Sequence, residues 1–534
     1  MEISRRLLIL ISVIGALFVY GAMGVVSLAA EKTVRQTDII VSYKQYQWWL
    51  IRWSDNQTEC QILSDHDGLP TGDDVYVYCG DDIYEDWIDT GACPEAEQGG
   101  NISDCSGYYL HLVSSENLTK TLTVDLPTPE VWLTTSGCNP LPPDNRCNEI
   151  PSLLISAEEP LPNESIIGIQ GTFNDIPFMC NENPCDFPLR PTSLEGAEMV
   201  FWAESSYGDV SSQYTALIRV VDTGISTIPG ESGWYVDIMS SRWRGDQVRS
   251  CAQIWGAFPP PGGPPLWLSS PEWPELLASD EPYVYLAGRL ITHGIVDAHD
   301  CPAGGLLSNG YASTCGLDKA RSEVEIWQNR FDSKIVEAAK ETNIPGQLIK
   351  NLFAQESQFW PGAFIEIEEY GLGQLTELGA DTVLLWNPSF FSQFCPLILD
   401  AGVCQLGYVQ LEDEDQSILR GALITDVNAE CADCPAGIDL SHADFSVNLF
   451  AQSLKANCEQ VGQIISNSKD QIPGAVSSYE DLWRFTLVNY HAGPGCLLEA
   501  VEEVSGTTLD WQNVSNELDS TCPSVIDYVD TISR

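Results

Sequence analysis

Positive charge is scarce in this chain. Lys and Arg number 25 against 76 Asp and Glu in 534 residues, a formal net charge of −51 at pH 7. Such a surface repels phosphate backbones and anionic membranes, which argues against nucleic acid as a partner. The acidic residues are scattered rather than gathered in a tail, a pattern that keeps an extracellular protein soluble. Metal-site patterns are also missing. With 6 His there is no well-spaced pair. Cys431-Ala-Asp-Cys434 has neither a second CxxC to complete a zinc site nor a thioredoxin-like βαβ pattern around it. No cofactor and no metal are expected. No clear internal repeat links the two β-rich blocks, residues 36–127 and 152–223.

What is present begins with MEISRRLLILISVIGALFVYGAMGVVSLAA. Arg5 and Arg6 precede an apolar run of 24 residues, Leu7 to Ala30, ending in small residues suited to cleavage after Ala29. The run is also long enough to span a bilayer. Residues 1–30 therefore read as either a signal peptide or a signal-anchor helix, the latter making the membrane a partner. Both place everything after Glu31 outside. All 18 cysteines follow this run. An even number in an exported chain points to disulfides in an oxidising compartment. Several lie close in sequence: Cys60/Cys79, Cys93/Cys105, Cys138/Cys147, Cys180/Cys185 and Cys395/Cys404. The connectivity stays open. The fold class and localisation that follow are a multidomain protein, secreted or membrane-anchored, on the outer side of the cell envelope.

Residues 36–127 read as a β-rich domain. DIIVSYKQYQWWLIRW, DDVYVYC, YYLHLVSS and TKTLTVDL are rich in β-branched and aromatic residues, separated by Asp/Gly/Asn clusters. Trp48, Trp49 and Trp53 suit either strand packing or a sugar-stacking platform. Residues 128–151, with their prolines and two cysteines, read as a linker or long loop. Residues 152–223 carry short strands with regular turn signals, the pattern of an immunoglobulin-like sandwich. The 224–324 stretch, including FPPPGGPPLW, reads as an irregular, Pro-rich and partly helical connector. Its three cysteines, Cys251, Cys301 and Cys315, require at least one bond to another region.

From 325 onward the period becomes helical. FDSKIVEAAKETN sets Phe331, Ile335, Ala338 and Ala339 on one face, with Asp332 as the expected cap. In PGQLIKNLFAQE, Pro345 suits the first helical position. Leu348, Ile349, Leu352 and Phe353 then draw an apolar stripe whose next position is Glu356. A carboxyl group on a buried face resists ionisation, and its pKa rises. A carboxylic acid kept protonated near neutral pH is what a glycosidase uses to protonate a leaving sugar oxygen.

Three short elements extend this reading. Glu356-Ser357-Gln358-Phe359, Gly371-Leu372-Gly373-Gln374 and Asn489-Tyr490-His491-Ala492-Gly493-Pro494-Gly495 occur in that order, with 18 residues from Glu356 to Gln374. Residues 325–525 thereby resemble the lytic transglycosylases of the soluble-lytic-transglycosylase type and, more distantly, goose-type lysozymes. The three elements look like the family's ESxF, GLMQ and AYNAGPG motifs. The resemblance implies a mainly α, lysozyme-like domain behind N-terminal all-β, sandwich-like domains. It also implies cleavage of the β-1,4 bond between N-acetylmuramic acid and N-acetylglucosamine in peptidoglycan. Glu356 would be the single acid/base. Ser357, Phe359, Gln374, Tyr490, His491 and Gly493 would serve the substrate groove, with Tyr490 also orienting Glu356. Ordinary retaining glycosidases need a second carboxylate about 5 Å away, and none is obvious here. In the family the substrate's own acetamido group is thought to assist, and the muramyl 6-hydroxyl captures the intermediate as a 1,6-anhydro product.

Four departures stand out. Gly373 occupies the usual Met position, and His491 the usual Asn position. Residues 364–370, FIEIEEY, bring Glu366, Glu368 and Glu369 between the first two motifs. An insertion at 387–444 either walls the groove or is peripheral. Two alternatives accompany the transglycosylase reading: a lysozyme- or chitinase-type hydrolase of the same fold, and a non-catalytic wall-binding surface protein.

Overall fold

The computed structural model describes residues 35–534 apart from 90–92, 95–101, 103–104, 139, 141–144, 225–232, 245–250, 281 and 365–367. The expected signal peptide or signal-anchor therefore lies outside the described residues, as does Glu366. Among the described residues, no helix is long and apolar enough to cross a membrane. The chain divides into two compact units. The first takes the described part of Met1–Thr128 with Glu159–Ser165 and Ser205–Val210; the second takes Pro129–Glu158, Ile166–Glu204 and Ser211–Arg534.

The first unit is built on a long antiparallel ribbon. Strands β1 (Gln36–Arg52) and β3 (Tyr108–Asp125) pair throughout, and β2 (Thr58–Ser64) adds to the other edge of β1. YYLHLVSS and TKTLTVDL are thus one strand rather than two. DDVYVYC, expected as a strand, is helix α1 (Gly72–Cys79), followed by α2 (Asp81–Ile88). The reason is local. The Thr71 hydroxyl accepts from the Asp74 N–H while the Asp74 carboxylate accepts from the Thr71 N–H, a complete capping box. That start signal overrides the alternating valines and tyrosines, and the Cys60–Cys79 disulfide ties the far end to β2. The unit's core is small: Trp48, Leu50, Ile62 and Val75. Trp48 is spent on packing. Arg35 is buried against Glu159 (2.7 Å) and Asp209 (3.1 Å), which draws those two segments into this unit.

The second unit opens with a β-sandwich. Residues 130–136, expected within a linker, form strand β4 (Glu130–Ser136), paired along its length with β6 (Ser152–Glu158). Flanking prolines hid an alternating strand whose Val131 and Leu133 are fully buried. The remaining strands are β5 (Arg146–Cys147), β7 (Ile166–Phe173), β8 (Ile176–Cys180), β9 (Cys185–Pro188), β10 (Ala197–Ser205), β11 (Tyr214–Asp222) and β12 (Trp234–Met239). They make a six-stranded sheet, β5-β12-β11-β10-β7-β8, and a three-stranded one, β4-β6-β9. Leu133 and Ile155 of one sheet share a core with Phe201, Ile218 and Val236 of the other. The sandwich thus outruns its expected limits of 152 and 223 at both ends.

The rest is helical: α3 (Val284–Thr292), α4 (Thr314–Asn329), α5 (Asp332–Thr342), α6 (Gly346–Ser357), α7 (Glu377–Trp386), α8 (Pro388–Ile398), α9 (Asp413–Val427), α10 (Leu440–Lys469), α11 (Tyr479–Glu503), α12 (Trp511–Thr521) and α13 (Ser524–Ile532). One continuous core unites them. It includes Trp267 and Leu286 from the expected connector, and Phe394, Leu419 and Leu423 from the expected insertion. Neither segment is peripheral. The connector's odd cysteine resolves as Cys251–Cys458, while Cys301 pairs with Cys315. The five sequence-close pairs are all bonded, with Cys431–Cys434 and Cys496–Cys522 completing nine disulfides. Among the described residues no group of His, Cys, Asp and Glu is arranged to hold a metal.

Candidate active site

Helix α6 carries Glu356 in its last turn. Leu348, Ile349, Leu352 and Phe353 are fully buried along it, so the stripe read in the sequence faces the core. Pro345 caps the helix rather than starting it. The N-terminal half is anchored by Lys350, whose Nζ lies 2.5 Å from the Asp332 carboxylate with both side chains buried. Asp332, expected to cap α5, follows the N-cap Phe331 and is committed to this ion pair instead. The helix then ends sharply. Gln358 and Phe359 both take left-handed backbone conformations, φ 49° and 64°. Two such residues in succession stop an α-helix. The Phe359 N–H returns to the Phe353 carbonyl at 3.2 Å.

Ser357 and Phe359, expected to touch substrate, lie in the core. The Ser357 hydroxyl donates to the Leu372 carbonyl at 2.7 Å, and Phe359 is fully buried. Ser357 thereby locks the first motif to the second, and Phe359 fills the turn. Gln358 has a role that the sequence did not suggest. Its Oε1 accepts from the N–H groups of Tyr285 and Leu286, capping the start of α3.

The Glu356 side chain is 12 % exposed. Burial pushes its pKa up to about 8. The Tyr528 hydroxyl, donating to Oε1, pulls the other way, and the nearby Glu369 charge adds to the rise. Glu356 is therefore mostly protonated at neutral pH. Glu369, at the end of the loop between the first two motifs, is itself half-buried and shifted upward by burial. Glu368 is exposed.

Tyr490 does not contact Glu356 through a hydrogen bond. Its hydroxyl donates to the Gly373 carbonyl, joining the third motif to the second. The Glu356 partner is Tyr528 of α13, beyond the expected end of the domain at 525. Gly373 also explains the missing Met. A Cβ there would meet Phe450 at 2.5 Å and the Tyr490 hydroxyl at 2.8 Å, so no larger residue fits. Gln374, at φ 55°, turns its Nε2 back to the Gly371 carbonyl and leaves a buried Oε1 without a hydrogen-bond partner among the described residues. That unmet acceptor is suited to a ligand N–H or hydroxyl.

His491 lies beside the acid. Its ring stacks on Tyr528, with centroids 4.0 Å apart and planes 13° from parallel, and its Nδ1 is 4.0 Å from Glu356 Oε1. Asn489, on the buried side of α11, donates to Asn457 and Gln460 of α10. Gly493 breaks α11 at φ 80°, ψ 169°, and Pro494 restarts it. Just beyond, Cys496–Cys522 ties α11 to the segment preceding α13 and so holds Tyr528 against His491. Glu356, Tyr490, His491 and Tyr528 thus gather at one place, while Gln374 flanks it through the loop that Tyr490 pins.

Comparison with protein-family models, with curated proteins and with solved structures gives no match for this chain.

Proposed function

We propose that the protein cleaves peptidoglycan glycan strands as a lytic transglycosylase, with Glu356 as the single general acid and base. One observation carries this reading: a carboxyl group at the end of a core helix, held protonated at neutral pH and steadied by a tyrosine hydroxyl. A protonated Glu356 delivers its proton to the oxygen linking N-acetylmuramic acid to N-acetylglucosamine. The carboxylate so formed is stabilised by the Tyr528 hydroxyl. It then takes the proton from the muramyl 6-hydroxyl as that group closes the anhydro ring. The substrate's acetamido group would support the oxocarbenium-like centre in place of a carboxylate nucleophile. The unmet Gln374 acceptor supports a role in gripping the glycan.

The three motif resemblances support the substrate class, and nine disulfides support an extracellular site of action. The test is Glu356→Gln assayed on purified peptidoglycan. Release of soluble fragments falls at least about 10³-fold while the circular dichroism spectrum is unchanged. Wild-type-like release by the folded variant overturns the assignment.

A further inference from the structure

The arrangement around Glu356 contains a second ionisable group that the single-acid scheme leaves unused. His491 stands where the resembling motif has Asn, a residue that cannot titrate. Its side chain is 38 % exposed, against 12 % for Glu356. It is therefore the more solvent-accessible of the two groups. Its position is held on both sides: α11 supplies the backbone just before the Gly493 break, and the Tyr528 ring lies flat against the imidazole.

Among the described residues, four titratable groups bear on this position or on its neighbours. Glu356 faces it from α6 at 4.0 Å, and Tyr528 stacks on it from α13. Tyr490 precedes it on α11. Glu369, from the loop between the first two motifs, acts electrostatically on Glu356, Tyr490 and Tyr528. At 4.0 Å the imidazole and carboxyl groups are not hydrogen-bonded to each other. They are close enough that the charge on one acts strongly on the other.

We propose that His491 is the site's acid-side gate, a positioning residue whose neutral form is the working one and whose protonation shuts the site. This inference rests on the glycan-cleaving reading of Glu356. Two physical effects give the direction. First, glycosidic cleavage develops positive charge on the sugar ring. An imidazolium 4.0 Å from Glu356 opposes that charge. Second, an imidazolium beside Glu356 stabilises the carboxylate and weakens it as the base for the closing step. A neutral imidazole does neither. Burial favours that neutral form, holding the His491 pKa below the ordinary histidine value. Asn at this position gives a site with no such gate.

The test is the pH dependence of kcat/KM for fragment release from peptidoglycan, measured from pH 4 to 9 with wild type, His491→Asn and His491→Gln. The wild type is expected to lose activity about tenfold per pH unit on the acid side below the ionisation of one group. Both variants, shown folded by circular dichroism, are expected to lose that acid limb and keep the alkaline limb set by Glu356. Persistence of the wild-type acid limb in both folded variants overturns the gate and leaves the function intact. A wild type without an acid limb overturns it as well. Absence of product from the wild type at every pH overturns the glycan-cleaving reading itself, and the gate with it.

Discussion

Two of the histidines that sit beside carboxylates, His66 and His491, behave oppositely. In the first unit, His66 Nε2 lies 2.8 Å from Asp74, with His66 exposed and Asp74 partly buried. The hydrogen bond to Asp74 raises the His66 pKa. In the helical region, His491 stands 4.0 Å from Glu356 with a lowered pKa, and the Glu356 pKa is raised to about 8. The first is a surface ion pair, where the hydrogen bond and attraction outweigh partial desolvation. In the second, desolvation wins, and both groups are driven to their neutral forms. Among the described residues, the hydrophobic core of the first unit holds four buried residues, and His66 lies exposed outside it. Glu356 ends a helix packed in the continuous helical core, and that depth of burial keeps its carboxyl group mostly protonated at neutral pH.

The contrast can be broken or sharpened by mutation. The largest stability effect is expected from Lys350→Met, which leaves Asp332 charged and unpaired inside the helical core. Loss of about 3–5 kcal/mol is expected by urea denaturation. A loss below 1 kcal/mol would mean that this core is wetter than the burial of the pair implies. Glu356→Gln should stabilise the protein in a pH-dependent way. The Glu356 pKa is higher in the folded than in the unfolded chain, so the native state holds the extra proton between about pH 4.5 and 8. Stability of the wild type therefore falls as pH rises through that window. The variant escapes this penalty. Its gain should be nil below pH 4.5 and grow to a few kcal/mol above pH 8, since each pH unit is worth about 1.4 kcal/mol. Equal melting temperatures at pH 5 and pH 9 would contradict the burial argument.

Tyr528→Phe removes the hydroxyl that favours the Glu356 carboxylate. The alkaline limb of the activity profile should move upward, and kcat should fall roughly tenfold for one lost hydrogen bond to a charged group. An unmoved limb would disconnect Tyr528 from the acid. The smallest effect is expected from His66→Asn. The raised His66 pKa contributes stability that is present below the unfolded value and lost as pH rises through the folded value. A small drop in melting temperature at pH 5, none at pH 8 and unchanged fragment release are therefore expected.

The catalytic candidate was legible because its signal is a contradiction. Glu356 occupies an apolar stripe where a leucine belongs, and local periodicity suffices to see that. Tyr528 was not legible for the converse reason. It sits on the stripe of Val525, Val529 and Ile532, where an aromatic ring looks like packing, and it is separated from Glu356 by 172 residues. Only the fold brings the two helices together. Tyr490 and Tyr528 therefore divide the work that the motif alone had assigned to Tyr490. Ser357 and Phe359 belong to the motif because the turn after Glu356 needs them, which a sequence pattern cannot distinguish from contact with substrate. In the first unit, alternation in DDVYVYC favoured a strand, although Thr71 and Asp74 already spelled a helix start. Local capping chemistry was the better guide there.

The most direct measurement is mass spectrometry of the soluble products after the purified protein is incubated with peptidoglycan. Muropeptides ending in 1,6-anhydromuramic acid are the predicted result and identify the muramyl 6-hydroxyl, not water, as the group that captures the intermediate. Reducing-end muropeptides would keep Glu356 as the acid but make water the nucleophile. No soluble product from folded protein, across acid to neutral pH and on chitin as well, would contradict the account and favour a wall-binding role.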